Sequence, residues 1–291
     1  MAARLQVDAQ ARLGECPLWC ERTGALYWTD IESATLSRWR AADGSVHEWT
    51  LPERVGSFAL CGINSRLLLG LASGIALFDT STESLSPVIP VEPDLPDTRI
   101  NDGRCDRQGR FVFGMFNPKE APVSGFYRVH ADLRIERLQL PPAGVGNSIA
   151  FSPDGGTMYY TDSPTRTIWH VDYAANGQLG EPRVFVQLPE SEGFADGSTV
   201  DAEGGLWNAQ WHGNRVVRYD TAGVASASFD LPVSQPTCPT FGGAAFDHLY
   251  VTSARKGLDA AALKKEPAAG GVFVLQPGWR GLPESRFALA R

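Results

Sequence analysis

Apolar residues in this chain fall into short runs framed by turn-forming residues, and one unit of this kind keeps returning. Asp106-Arg-Gln-Gly leads into Phe111-Val-Phe-Gly, and Gly125-Phe-Tyr-Arg-Val-His follows. Ser152-Pro-Asp-Gly-Gly leads into Met158-Tyr-Tyr-Thr, followed by Thr167-Ile-Trp-His-Val-Asp-Tyr. Asp201-Ala-Glu-Gly-Gly leads into Leu206-Trp-Asn, followed by Asn214-Arg-Val-Val-Arg-Tyr-Asp. Each copy reads as an Asp/Gly turn, a strand, a loop and a second strand. Fainter copies flank these three. Ala25-Leu-Tyr-Trp-Thr-Asp precedes Leu36-Ser-Arg-Trp, Leu67-Leu-Leu-Gly precedes Gly74-Ile-Ala-Leu-Phe-Asp, and His248-Leu-Tyr-Val-Thr precedes Gly271-Val-Phe-Val-Leu.

Six units spaced roughly 40 to 50 residues apart match the period of four-stranded propeller blades. The pattern predicts an all-β fold: a six-bladed β-propeller around a central channel, with residues 1–291 as a single domain. The N-terminal segment is expected to pair with strands near the C-terminus and close the ring. A β-sandwich with turns every 8 to 12 residues or so would not produce the repeated unit. Helical periodicity is confined to the stretch from Leu258 to Lys265.

Composition narrows the function classes. Hydrophobic residues make up 43% and charged residues 20% of the chain, ample for a packed core. The formal charge is −7, with 26 basic residues scattered among 33 carboxylates, which excludes the basic stripe of a nucleic-acid binder. The first residues lack the apolar core of a secretory signal. The longest apolar stretch, Leu67 to Phe78, is broken by Gly70, Ser73 and Gly74 and is too short to cross a bilayer. A cytoplasmic protein with no membrane partner is expected. Five scattered cysteines without a Cys-x-x-Cys pair read as buried thiols rather than a disulfide framework or a thiolate zinc site.

A propeller brings strand ends from every blade to its channel, so a site would be assembled from single polar residues far apart in sequence. Four segments have that form: Gly14-Glu15-Cys16-Pro17, Arg99-Ile100-Asn101-Asp102-Gly103, Gly146-Asn147-Ser148 and Ala195-Asp196-Gly197-Ser198. Taken singly, Asn-Asp-Gly, Gly-Asn-Ser and Asp-Gly-Ser are also ordinary turn sequences.

Taken together, these segments resemble the SMP-30/gluconolactonase/regucalcin family of sugar lactonases. The resemblance extends through Tyr159-Tyr160-Thr161-Asp162-Ser163, Asp196-Gly-x-x-x-Asp-x-Glu-Gly-x-Leu-Trp, Cys238-Pro-Thr-Phe-Gly-Gly, Thr252-Ser-Ala-Arg and Ala269-Gly-Gly-Val-Phe. It implies a divalent metal held by Glu15, Asn147 and Asp196. Two carboxylates and an amide oxygen form a hard donor set suited to Ca²⁺, Mg²⁺, Mn²⁺, Fe²⁺ or Zn²⁺, and three protein ligands leave positions open for water and substrate.

The family's substrate-binding Arg and Asn correspond to Arg99 and Asn101; an exposed salt bridge is the other role open to Arg99. Some relatives carry a substrate-contacting Glu where this chain has Lys119, with Glu120 one residue later, so either residue is a candidate for the substrate wall. Asp162 would line the channel or cap a hairpin. Trp19, Phe116 and Trp211 would stack on a sugar ring or fill the core.

The implied activity is hydrolysis of a small-molecule sugar lactone, an arabinono-, xylono-, galactono- or gluconolactone. Its carbonyl would be polarised by the metal, and Asp196 would take the proton of the attacking water. A calcium-binding or regulatory module with little turnover, and a metal-dependent arylesterase or phosphotriesterase, are the competing readings. A Ser nucleophile is disfavoured because the chain has no Gly-x-Ser-x-Gly elbow.

Overall fold

A computed structural model describes residues 2–290 and forms a ring of six antiparallel blades. Their inner strands are Gly14–Cys20, Val55–Leu60, Arg99–Cys105, Gly146–Phe151, Phe194–Val200 and Pro236–Gly242, numbered here as blades 1 to 6. Each blade runs outward from its inner strand as a four-stranded meander; in blade 2 the outermost position is shared by Ser84–Leu85 and Ile89–Pro90. Blade 6 takes its fourth strand from the N-terminus, where Arg4–Val7 pairs with Val272–Leu275. That pairing closes the ring as expected: it covers the outer edge of Val272–Leu275 and ties the two ends of the chain into one blade. Helix is confined to Ser163–Thr165, a 3₁₀ turn, and Ala260–Lys265 among the described residues. The latter is capped by Asp259, whose carboxylate accepts from the Ala262 N–H at 2.8 Å.

Side chains alternate between the two faces of a strand, and here both faces of a blade are buried. Leu67, Leu69 and Leu71 pack towards blade 1, while Leu68 between them packs towards blade 3. Leu18 and Tyr27 face blade 2, while Trp19, Leu26 and Trp28 face blade 6. Runs such as Leu67-Leu-Leu are therefore continuous instead of alternating, because each residue fills one of two neighbouring interfaces. The six large apolar clusters correspond to the six blade-to-blade interfaces.

All six inner strands share a distortion that the sequence pattern does not reveal. Each carries one extra residue relative to its neighbour, between Glu15 and Leu18, Val55 and Ser57, Ile100 and Gly103, Asn147 and Ala150, Ala195 and Ser198, and Pro236 and Pro239. A β-bulge re-aims side chains and increases twist. These bulges lie near the N-terminal ends of the inner strands, at one end of the channel.

The opposite end is covered by the C-terminal segment. Its backbone meets Phe246, Ala202, Leu60, Gly109 and Ala131, on blades 6, 5, 2 and 3. Glu284 pairs with Arg104 and accepts from Thr240, Arg286 pairs with Glu21, and Phe287 is buried in the interface of blades 2 and 3. The two ends of the channel are thus distinct: one open, the other sealed by the chain's own tail.

All five cysteines are buried and none forms a disulfide. No helix among the described residues is long and apolar enough to cross a membrane.

Candidate active site

The open end of the channel holds a cavity of about 560 Å³ whose wall includes Glu15, Arg99, Asn101, Asn147, Asp196 and Glu120. The four motif segments are buried inner strands, so the turn reading of their Asn, Asp and Gly residues is corrected. Those residue types serve the bulges instead. Cys16 and Ser148, each directly after a wall residue, take positive φ of 49° and 62°. Gly197 follows Asp196 because a Cβ there would sit 2.5 Å from the Cys238 Sγ of the next blade.

Hydrogen bonds tie the wall into one relay across blades 3, 4 and 5. An Arg99 Nη donates to Asn101 Oδ1 at 2.7 Å, and Asn101 Nδ2 donates to Asn147 Oδ1 at 2.9 Å. Asn147 Nδ2 donates to Ser163 Oγ at 2.9 Å, and that hydroxyl donates to the Ala195 carbonyl at 2.6 Å. Because Ser163 gives its proton to a carbonyl, it accepts from the amide, which fixes Asn147 with its Oδ1 away from Ser163. That oxygen has a second lone pair beyond the one Asn101 uses.

Arg99 is only 2% exposed, so the salt-bridge role is corrected: its Nη contacts are an amide and a carbonyl. Its Nε is buried with no partner, and its guanidinium lies 4.3 Å from the Phe116 ring centroid. Burial, then the neighbouring Arg54 cation, lowers the Arg99 pKa to about 10, so it stays charged at neutral pH.

Three buried carboxyl groups, of Glu15, Asp102 and Asp196, lie close together here. Burial pushes Glu15 well above the usual carboxylate range, with the charges of Asp196 and Asp102 adding to the effect. Burial and Asp102 do the same to Asp196. Burial raises Asp102 to about 6 even though it accepts from the Ile149 N–H at 2.7 Å. Among the described residues neither Glu15 nor Asp196 accepts a side-chain hydrogen bond, although both line the cavity. Two buried carboxylates without side-chain donors, held only by the backbone N–H groups of Cys16 and Gly197, carry negative charge that a cation would offset. No cluster of three or more His, Cys, Asp and Glu side chains able to hold a metal occurs among the described residues. A cation site here must therefore include a different donor, and the oriented amide oxygen of Asn147 fits that need. The donor chemistry of Glu15, Asn147 and Asp196 suits a hard divalent ion.

Of the two candidates on the loop after Phe116, Glu120 lines the cavity and Lys119 does not. Lys119 is mostly exposed and pairs with Asp97 at 3.5 Å. The backbone turns at Glu120, with φ of 56° and its N–H donating to the Asn117 carbonyl. Gly144 packs so tightly on the Glu120 carbonyl that a Cβ would lie 2.0 Å from it.

Asp162 caps a loop: its carboxylate accepts from the Gly144 and Val145 N–H groups at 3.0 and 2.8 Å, leading into the inner strand of blade 4. Asp30 does the same for Arg12 and Leu13 in blade 1, at 2.8 and 2.9 Å. Trp19 belongs to the core, stacked on Tyr250, whereas Phe116 and Trp211 line the cavity. The motifs missed four wall residues from the mouth, Glu32, Arg54, His212 and Lys256. Only the Thr252-Ser-Ala-Arg motif, ending one residue before Lys256, pointed near any of them.

Comparison with known proteins adds four relationships. A family model described as the SMP-30/gluconolactonase/LRE-like region matches residues 13–255. An L-arabinolactonase of Azospirillum brasilense is 49% identical over 98% of this chain and 95% of its own length, and a 6-deoxy-6-sulfogluconolactonase of Pseudomonas putida is 34% identical over 95% of each. The crystal structure of a calcium-binding protein, regucalcin, from Agrobacterium tumefaciens superposes with a TM-score of 0.94 at 34% identity, covering 99% of this chain and 98% of that one.

Proposed function

The chain belongs to the SMP-30/gluconolactonase/LRE-like family, and on that premise we propose that it hydrolyses a five- or six-carbon aldonolactone to the aldonic acid, using one divalent cation. The observation that carries this reading is the pair of buried carboxylates of Glu15 and Asp196, neither of which has a side-chain hydrogen-bond donor, facing one cavity beside Asn147. Similarity to the Azospirillum L-arabinolactonase supports a pentonolactone among the arabinono-, xylono-, galactono- and gluconolactone candidates.

Glu15, Asn147 and Asp196 would hold the cation, which supplies positive charge to polarise a lactone carbonyl and acidify a water. Asp196 has a second carboxylate oxygen for proton transfer. It accepts a proton from the attacking water as the oxygen bonds to the carbonyl carbon, and returns it to the ring oxygen as the ring C–O bond breaks. Arg99 and Asn101 orient the ring, the guanidinium held against Asn101 and the amide held by Arg99, Asn147 and the Gly146 carbonyl. Glu120 offers an acceptor to sugar hydroxyls from the cavity wall.

A pH-stat assay on a panel of aldonolactones, corrected for spontaneous opening, tests the reading. Turnover that disappears with chelation and in Asp196→Asn supports it. Similarity to a calcium-binding regucalcin favours one alternative, a cation-binding module without turnover. Stoichiometric cation binding with no lactone opened above buffer would establish that alternative instead.

A further inference from the structure

Lys256 stands at the second position of a tight turn closed by the Leu258 N–H donating to the Arg255 carbonyl at 3.1 Å. Gly257 occupies the third position at φ of 78°, where glycine has no Cβ penalty. Buried Gln235 pins the turn by donating from Nε2 to the Lys256 carbonyl at 3.1 Å.

The turn belongs to blade 6, yet the Lys256 Nζ lies 5.6 Å from the ring centroid of Phe116, on blade 3 across the channel. On the way it meets Glu32 Oε1 at 2.7 Å, from the turn Ile31 to Ala34 of blade 1. Lys256, Glu32 and Phe116 all line the cavity. The side chain therefore reaches across the open mouth. Lys256 and Glu32 remain 43% and 20% exposed, and exposed ion pairs contribute little to stability. Holding the fold together does not account for this arrangement.

What the pair does present at the mouth is a donor beside an acceptor. The ammonium has three N–H donors and no acceptor, and the carboxylate only acceptors. Adjacent hydroxyls of a polyol offer the complement: one oxygen accepts from Lys256 while a neighbouring O–H donates to Glu32. An alkyl-substituted lactone offers neither. We infer that Lys256, positioned by Glu32, is a substrate-contacting residue that sets the preference of this site for hydroxyl-bearing lactones. The inference rests on the lactonase reading above and deepens it.

The test is steady-state kinetics of the metal-replete full chain on D-xylono-1,4-lactone for wild type, Lys256→Met, Lys256→Arg and Glu32→Gln. Loss of a contact made equally in ground and transition states raises KM and spares kcat. Lys256→Met should raise KM about tenfold with kcat within about twofold, the scale of one polar contact. Lys256→Arg should restore KM to within about threefold of wild type, and Glu32→Gln should raise it less than Lys256→Met, because the ammonium remains. Melting temperatures should stay together, since the pair is exposed. A wild-type KM in Lys256→Met, or a fall in kcat and melting temperature together, overturns the inference while wild-type turnover leaves the lactonase reading intact. If wild type itself opens no sugar lactone, the lactonase reading fails and this inference falls with it.

Discussion

Asn101 Nδ2 lies 2.9 Å from Asn147 Oδ1, so an amide on blade 3 donates to an amide on blade 4. This contact joins Arg99 and Asn101, proposed to orient substrate, to Asn147, proposed to hold the cation. Ser163, on the other side of Asn147, completes its orientation. The relay accounts for how single residues from separate blades act as one site.

Ser163 is expected to act on the cation through Asn147. In Ser163→Ala the amide loses the acceptor that fixes its orientation, and cation affinity should fall about 10- to 100-fold, the scale seen when a ligand loses its support. Excess cation should restore most of the rate. Calorimetric titration of chelator-treated protein checks this, and unchanged affinity would show that Ser163 does not orient a ligand.

Arg99 carries a different load. Arg99→Lys keeps the charge but loses the planar fork whose Nη reaches Asn101 and the Ile100 carbonyl. Mispositioning of this order costs about 10²-fold in kcat/KM. Near-wild-type kinetics in Arg99→Lys would reduce the residue to a generic positive charge.

Cation removal should have a pH signature. Burial lifts Asp102 to about 6, and Glu15 and Asp196 are raised as well. An acid whose folded pKa exceeds its unfolded value of about 4 holds its proton more tightly when folded. Through Asp102 the native state therefore loses relative stability as pH rises through the window from about 4 to 6, and Glu15 and Asp196 act in the same direction. For Asp102 alone the loss is up to ~3 kcal/mol, and a bound cation would offset it. Melting temperatures of chelated and cation-loaded protein should draw apart as pH rises across that window. Curves that stay parallel contradict the placement of the cation beside these carboxylates.

At the sealed end, Phe287→Ala should cost about 3–5 kcal/mol by opening a cavity between blades 2 and 3. Because the tail lies at the far end of the channel from Glu15 and Asp196, kcat/KM of the folded fraction should be unchanged. Chemical denaturation with parallel kinetics separates the two effects. A large loss of kcat/KM at full folding would mean that the tail reaches the site.

Much of this architecture is legible in the residues. Paired strand signals such as Phe111-Val-Phe and Gly125-Phe-Tyr-Arg-Val located blades, and Glu15, Arg99, Asn101, Asn147 and Asp196 do line one cavity. The bulges were hidden because register is set between strands, and Asn-Asp-Gly or Gly-Asn-Ser reads the same in a turn as in a distorted strand. The choice between Lys119 and Glu120 depends on a single left-handed residue wedged against Gly144, which no periodicity signals. Glu32 and Lys256 sit on turn apices, where exposed charge is the ordinary expectation. The tail carries no strand pattern: it docks through isolated backbone contacts, the ion pairs of Glu284 and Arg286, and Phe287.

The most direct measurement takes one preparation of protein, strips it with a strong chelator, and follows both lactone opening and bound cation as Ca²⁺, Mg²⁺, Mn²⁺, Fe²⁺ or Zn²⁺ is returned. Turnover of an aldonolactone should vanish on stripping and recover in step with one equivalent of an effective ion. Glu15→Gln and Asp196→Asn, folded by their melting curves, should recover neither binding nor rate. Full turnover by the stripped protein, or wild-type rates in either variant, would contradict cation-assisted hydrolysis at Glu15, Asn147 and Asp196.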